Sequence, residues 1–217
     1  MVSSRNFRLF IDELTVGARG TLPPAPARAL YVVTGSARLD DEASTAALPE
    51  DGAWHGRLAV NLTTMTGATL LRWEVGDGDS VDLEGEGVSS RVALATAIDL
   101  PGPSSLLRCD RVDFPPGGTA LLHTHQGPGI RCLLKGRIRI ETAGTTHAYG
   151  PLEPWFESGP DPVFAATSDT EPSAFARVMI LPVELQGKSS ICYVNPEDLA
   201  RPKSQRYQVF IDRPLQI

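Results

Sequence analysis

Paired cysteines, long apolar runs and an excess of basic residues are all missing from this sequence. Three cysteines are scattered over 217 residues, which argues against a disulfide framework and against a four-thiolate zinc site. Asp and Glu number 26 against 20 Lys and Arg, so the formal net charge is -6. The chain therefore offers no general counter-charge to phosphate, and we expect no nucleic-acid partner.

Membrane and targeting signals are also absent from the sequence. No apolar run approaches 18 residues, and the first residues lack the basic, apolar and small-residue segments of a signal peptide. We therefore expect no membrane partner and a cytoplasmic location.

The patterns GxxxxGK[ST], GxGxxG, GxSxG and HExxH do not occur either, which disfavours nucleotide-driven chemistry and serine hydrolysis.

The apolar residues lie in short runs rich in Val, Leu and Ile, such as ALYVVTGSARL and IRCLLKGRIRIETAG, and Gly, Pro or Asp clusters separate the runs. This pattern is typical of an antiparallel all-β sandwich or barrel. Only STAALPEDG and VNPEDLARP have helical character, the latter with Asn195 as an N-cap and Pro196 at the first helical position. We predict that both form short surface turns.

The chain contains an internal repeat. ARALYVVTGSARL resembles PGIRCLLKGRIRI, which aligns Gly35 with Gly136 at an offset of 101 residues, and Trp54 aligns with Trp155 at the same offset. The turn-forming segment DLPGPSS follows the first copy near Leu100. We therefore predict two tandem domains, residues 1–100 and residues 101–217.

The two ends of the chain resemble each other. LFIDELTV near the N-terminus is similar to VFIDRPLQI at the C-terminus. Apolar strands of this kind usually pair with another sheet edge, because an unpaired apolar edge promotes aggregation. The partner edge lies either in a second subunit or within the chain, as one edge strand for each domain.

One segment, FPPGGTALLHTHQGPGIRCLLKGRI, carries residues with recognisable chemistry. His123 and His125 are two residues apart, so on an extended strand both imidazoles point to the same face. Imidazole suits Zn, Fe, Ni, Cu and Mn. Taken alone, this pair also fits two exposed or hydrogen-bonded histidines without any metal.

The spacing around the pair resembles the first motif of the cupin superfamily, which is G, five residues, HxH, three or four residues, E, six residues, G. Gly117, the two histidines and Gly136 occupy their places in that motif, whereas Gly129 stands where the family has glutamate. The resemblance implies two tandem cupin-like jelly-roll barrels, a bicupin, whose second barrel carries a partial metal site. It also implies a homodimer.

Two of the four ligands that the family uses are missing. The third histidine of the family would lie near Phe164, and no ligand stands there or at Gly129. Glu157 is the preferred third ligand, because a carboxylate on a facing strand would complete a two-histidine, one-carboxylate set. His147 is a second candidate. Both residues also fit the interpretation of ordinary solvated polar side chains.

Substrate-binding candidates follow from strand alternation and from the motifs. Arg131 shares a face with Gly129 and would orient an anionic molecule, and Arg177 is a second such arginine. Trp155 and Phe164 would line the mouth of the barrel. Either arginine also fits an internal ion pair, and either aromatic residue fits the core.

The first copy carries no such site, because the offset of 101 places Leu22 and Pro24 where the second copy has its histidines. We interpret it as a degenerate, structural or dimerising barrel.

For the whole chain we expect a protein that binds a divalent ion (Fe, Mn, Ni or Zn) in the second barrel and acts on a small, anionic organic molecule. The resemblance suggests a metal-dependent oxidoreductase of the dioxygenase type or an isomerase. The alternatives are a non-catalytic small-molecule-binding protein and a structural protein without metal.

Overall fold

The computed structural model describes residues 4–77, 82–102 and 104–215. The chain forms two compact units, of which the first ends at Asp99 and the second begins at Leu100. Both consist of antiparallel strands, and the helical segments described are two short 3-10 turns, Val183–Leu185 and Pro196–Leu199. The predicted all-β class is confirmed.

The described residues of the first unit form eight strands. In chain order they are Ser4–Leu22 (β1), Ala27–Gly35 (β2), Ala37–Asp40 (β3), Thr45–Leu48 (β4), Ala53–Gly56 (β5), Val60–Thr63 (β6), Ala68–Gly76 (β7) and Glu84–Asp99 (β8). They form one sheet in the order β4-β3-β6-β1-β7-β2-β5, with β8 along the other side of β1. The apolar core of this unit is built from alternate residues of these strands, among them Leu30, Val32 and Leu70.

In the second unit the residues that the structure describes form ten strands in two five-stranded sheets. In chain order they are Ser105–Phe114 (β9), Thr119–His125 (β10), Gly129–Lys135 (β11), Ile138–Thr142 (β12), Thr145–Tyr149 (β13), Pro154–Glu157 (β14), Val163–Thr167 (β15), Ser173–Pro182 (β16), Ile191–Tyr193 (β17) and Arg206–Pro214 (β18). One sheet has the order β13-β12-β15-β10-β17 and the other has the order β14-β11-β16-β9-β18.

The core of the second unit joins its two sheets. Leu133 and Phe175 from one sheet pack with Ile140, Val163 and Ala165 from the other. This apolar cluster fills one part of the space between the sheets. By strand alternation Arg131 shares a face of β11 with Leu133, and Arg177 shares a face of β16 with Phe175, so these buried arginines point into the same interior as the core.

The two similar terminal segments have different positions. β1 is an interior strand that pairs with β6 and β7 on one side and with β8 on the other. β18 is an edge strand that pairs with β9 of its own unit, and the last residues of the predicted tail strand, 216–217, lie outside the described residues. Both terminal strands find partners within the chain, but only β18 is an edge strand, so the expectation of one edge strand for each domain fails for the first unit. The homodimer stays a prediction.

One of the two predicted helical turns is wrong. Within STAALPEDG, Thr45–Leu48 is a strand that pairs with β3, because backbone pairing at this sheet edge outweighs the weak helical preference of the short segment. The other, VNPEDLARP, forms the 3-10 turn Pro196–Leu199 after Asn195. In the part of the chain that the structure describes, no helix has the length and apolar character needed to cross a membrane.

Candidate metal and anion site

The two histidines of β10 lie inside the second unit. Strand alternation places both on the inward face, and their side chains are almost fully buried. The Nε2 atoms of His123 and His125 are 3.2 Å apart, and the two rings are nearly perpendicular. The predicted convergence of the two imidazoles in one interior is therefore confirmed.

The other ring nitrogens point away from each other and have their own partners. His123 Nδ1 donates to the Leu121 carbonyl over 2.7 Å, which leaves the lone pair on Nε2. His125 Nδ1 lies 3.2 Å from Ser190 Oγ, and that hydroxyl lies 3.8 Å from Met179 Sδ. Such contacts to Nδ1 orient the rings of metal-binding histidines and select the tautomer with a free Nε2.

Burial keeps both imidazoles uncharged at neutral pH. Desolvation lowers the pKa of His123 below its usual value of 6.5. Desolvation also lowers the pKa of His125 well below that value, and the positive charges of Arg177 and Arg131 lower it further. Neutral imidazole is the form that binds a metal ion.

Neighbouring atoms leave little space for a side chain at Gly129, where the cupin motif has glutamate. A Cβ atom at this position would lie 2.6 Å from Arg131 Nη1 and 2.9 Å from Met179 Cγ. Arg131 therefore occupies the space that a side chain at 129 would need, and its Nη1 donates to the Gly129 carbonyl over 2.6 Å. Glu157 lies directly opposite Gly129 on β14, so a carboxylate reaches the same region from the neighbouring strand.

Glu157 is held by two neighbours. Its Oε1 accepts a hydrogen bond of 2.9 Å from Trp155 Nε1, and its Oε2 lies 2.6 Å from Arg131 Nη2. The second contact joins opposite charges without hydrogen-bond alignment, so Oε2 has no hydrogen-bond partner in the described chain. Oε2 also lies 3.7 Å from His125 Nε2, which brings the predicted third ligand to the histidine pair.

The two imidazoles fit one divalent ion. Two nitrogen ligands that each lie about 2.1 Å from an ion are about 3.0 Å apart at an octahedral right angle and about 3.4 Å apart at a tetrahedral angle. The separation of 3.2 Å between the two Nε2 atoms lies between these values. Within residues 4–77, 82–102 and 104–215, no group of three or more His, Cys, Asp or Glu side chains has the geometry to bind a metal ion without rearrangement. Glu157 is instead ion-paired with Arg131.

Arg177 borders the site on β16. Its Nε and Nη2 atoms donate to the two carboxylate oxygens of Asp110 over 2.7 and 3.2 Å, because the two residues lie opposite each other on β16 and β9. Its Nη1 lies 3.5 Å from His125 Nε2. Burial lowers the pKa of Arg177, but the ion pair with Asp110 raises it more, so the guanidinium stays charged.

A cavity of about 320 Å³ adjoins this cluster. Asp110, Arg177 and Ser190 belong both to its wall and to the surroundings of His125. The wall also includes Tyr207 of β18, whose ring lies 5.7 Å from the Arg177 guanidinium carbon. Arg177 and Ser190 therefore contact both the cavity and His125, which itself does not line the cavity.

The structure does not place the remaining predicted residues, Trp155, Phe164 and His147, where the sequence analysis expected them. Trp155 is buried in the core, stacks on Tyr149 and holds Glu157 rather than lining the cavity. Phe164 is half-buried and does not point into the core, because strand alternation on β15 directs its neighbours Val163 and Ala165 there. Val163, and not Phe164, is paired with His123 of β10. His147 is exposed on β13, and the structure does not bring it to the histidine pair.

Asp110 and Ser190 are site residues that the sequence did not predict. Asp110 pairs with Arg177 only because of the β9–β16 register. Alternation in LLRCDRVDF indicates a buried strand but not its register. Ser190 lies in the segment before β17 and carries no motif.

The chain matches no protein-family model and no curated protein. Several solved structures have a similar fold. AerE from Microcystis aeruginosa has a TM-score of 0.61 and 11% identity, over 81% of this chain and 87% of that chain. A mutant of Bacillus subtilis oxalate decarboxylase has a TM-score of 0.66 and 14% identity, over 90% and 73%. A study of the Mn(II) centres of that decarboxylase provides another structure, with a TM-score of 0.66 and 12% identity, over 90% and 73%. At such low identity the likeness shows the fold alone.

Proposed function

We propose that the chain is a bicupin whose second unit binds one divalent metal ion through His123 and His125, with Glu157 as the third ligand. The main support for this proposal is that the two imidazoles are buried and uncharged and that their Nε2 atoms lie 3.2 Å apart. Two further facts support it: both Nδ1 atoms have oxygen partners, and Glu157 Oε2 is buried without a hydrogen-bond partner near His125.

The bound molecule would be a small anion in the adjoining cavity. Arg177 orients it from the wall of the cavity, and Ser190 offers a hydroxyl. A bound divalent ion would supply Lewis acidity toward an oxygen of this molecule. The Mn(II) centres of the similarly folded decarboxylase give one precedent for a divalent ion in this fold. Fe, Ni and Zn also accept two imidazoles and a carboxylate.

A metal-free binding protein is the second candidate function. The observation in its favour is the ion pair of 2.6 Å between Arg131 and Glu157, which engages the third ligand in the described structure. In this alternative the cavity beside Arg177 captures a small molecule, and chelators leave binding unchanged. The two functions thus differ in their response to metal removal.

Elemental mass spectrometry of tag-free protein distinguishes the two candidates. We expect about one equivalent of Mn, Fe, Ni or Zn in the wild type and less than about one tenth in the His123→Ala/His125→Ala variant. His147→Ala is the matched control, since this exposed histidine of the same unit should leave the metal content unchanged. A wild type that stays below about one tenth of an equivalent after incubation with each metal would refute the metal site.

A further inference from the structure

Two buried ion pairs lie beside the histidine pair, and their contacts differ in geometry. Arg177 donates from Nε and Nη2 to both oxygens of Asp110, over 2.7 and 3.2 Å. Arg131 meets Glu157 through one contact of 2.6 Å between Nη2 and Oε2, and neither atom has a hydrogen-bond partner in the part of the chain that the structure describes. The first pair is therefore held by aligned hydrogen bonds as well as by charge, whereas the second is held by charge alone.

Only one of the two oxygens of Glu157 accepts a hydrogen bond in the described structure. Trp155 Nε1 donates to Oε1 over 2.9 Å, which fixes that oxygen and leaves Oε2 available to a cation. Oε2 lies 3.7 Å from His125 Nε2. Two ligand atoms of one metal ion are about 3.0–3.4 Å apart. A movement of a few tenths of an ångström would therefore bring Oε2 to an ion that is shared with the imidazoles.

Arg131 and a metal ion would compete for this oxygen. The Arg131 side chain is fully buried, and its Nη1 donates to the Gly129 carbonyl over 2.6 Å, which anchors the guanidinium on its own strand. Burial lowers the pKa of Arg131 to about 10, so the guanidinium is a cation at neutral pH. If Oε2 bound a divalent ion while Nη2 stayed 2.6 Å away, two cations would lie in close contact. Like charges repel strongly in a protein interior, so one of the two must leave Oε2.

We propose that Arg131 is a built-in counter-cation of Glu157, which a divalent ion must displace from Oε2 to complete its ligand set. The inference rests on the proposed function, because His123, His125 and Glu157 are the ligands of that proposal. Before a metal ion arrives, Arg131 keeps the buried carboxylate neutralised. It also sets the metal affinity, because the ion binds fully only to molecules in which Oε2 has left the guanidinium, and the apparent affinity falls by that fraction.

Calorimetric titration of the full-length, metal-stripped protein with Mn²⁺ tests the competition. Arg131→Met removes the competing cation and should lower the dissociation constant of Mn²⁺ by about tenfold or more, which corresponds to Oε2 being released in about one tenth or less of the wild-type molecules. Arg131→Lys keeps a cation beside Glu157 and should stay within about threefold of the wild type, because the contact is not bidentate. Arg139→Met is the matched control and should change nothing, since this exposed arginine of the same unit pairs with Glu141 at the surface.

A crystal structure of the metal-loaded wild type gives a measurement that does not depend on the Arg131→Met variant, in which a buried carboxylate loses its counter-charge. In crystals of the full-length protein grown with Mn²⁺, Glu157 Oε2 should contact the ion directly. Arg131 Nη2 should then lie beyond about 4 Å from Oε2, the limit of an ion pair. The two hydrogen bonds between Arg177 and Asp110 are the internal control and should be unchanged.

The outcomes separate this inference from the proposed function. A loaded wild type in which both histidines hold the ion while Arg131 still contacts Oε2 would overturn the exchange and leave the histidine ligands intact. Equal or weaker Mn²⁺ binding by folded Arg131→Met would do the same. Binding of Mn²⁺, Fe²⁺, Ni²⁺ or Zn²⁺ by Arg131→Met but not by the wild type would support the competition and overturn the proposed function. Absence of binding of all four ions to both proteins would overturn both.

Discussion

The two units bury charged side chains on similar strands, but these side chains have different surroundings. In the first unit Arg72 donates to both oxygens of Asp12 and to Glu74, and Glu74 also accepts from Arg28. Ser90 completes the cluster by donating to Asp12. In the second unit Arg177 donates to both oxygens of Asp110. Two imidazoles lie beside this ion pair, with Nε2 atoms 3.2 Å apart, together with a Glu157 oxygen that has no hydrogen-bond partner in the described chain.

The difference lies in the chemistry of the side chains: the first cluster contains charged groups and a hydroxyl, whereas the second also contains two imidazoles. In both units each carboxylate of the cluster lies within ion-pair distance of an arginine, so both clusters are neutral without a ligand. In the second unit neutral histidines contribute lone pairs rather than charge. Their Nε2 atoms lie 3.2 Å apart, within hydrogen-bond distance, and the same two atoms are the proposed ligands of a metal ion. We therefore propose a structural role for the first cluster and a binding role for the second.

Breaking the first cluster should have the largest effect on stability. Arg72→Met leaves Asp12 buried without its counter-charge, which should lower the free energy of unfolding by about 3–5 kcal/mol. The measurement is urea denaturation followed by circular dichroism. Arg38→Met is the control, since Arg38 and Asp40 form an exposed pair that contributes at most about 1 kcal/mol. Equal effects of the two variants would contradict a stabilising role for the buried cluster.

Metal addition should sharpen the contrast between the units. At a free metal concentration of 100 times the dissociation constant, binding should stabilise the second unit by about 2.7 kcal/mol. Hydrogen exchange should therefore slow in β10, β11 and β14. Exchange in β2 and β7 of the first unit should remain unchanged, because the cluster there contains no imidazole. Slower exchange in the first unit alone would contradict the assignment of the site.

A smaller effect is expected from the hydroxyl behind His125. Ser190→Ala removes the oxygen 3.2 Å from His125 Nδ1, and such losses typically weaken metal binding by about tenfold. Metal titration by calorimetry measures this change. Ser168→Ala provides the control, because Ser168 contacts Thr170 at the surface of the same unit. Unchanged affinity in Ser190→Ala would show that this hydroxyl does not orient the imidazole.

The fold and the histidine pair were predictable from local patterns. The glycine spacing around His123 and His125, the repeat at an offset of 101 residues and the two-residue alternation all depend on neighbours along the chain. Arg131 and Leu133 share the inward face of β11, as alternation predicts. These features are encoded within single strands.

Features that depend on strand pairing were less predictable. Glu157 reaches His125 because β14 places it opposite Gly129, and Asp110 reaches Arg177 because of the β9–β16 register. Phe164 illustrates the same difficulty, because a shift of one residue decides which of Val163 and Phe164 faces the interior. Register between distant strands is a tertiary property, so a single sequence does not determine it.

Anomalous diffraction at a metal absorption edge, from crystals grown with the metal that the protein retains, tests the central claim most directly. The account predicts one strong peak in contact with His123 Nε2 and His125 Nε2 in the second unit, and none at Asp12 and Glu74 in the first. A peak confined to another part of the molecule, or the absence of any peak beside the two histidines, would contradict it.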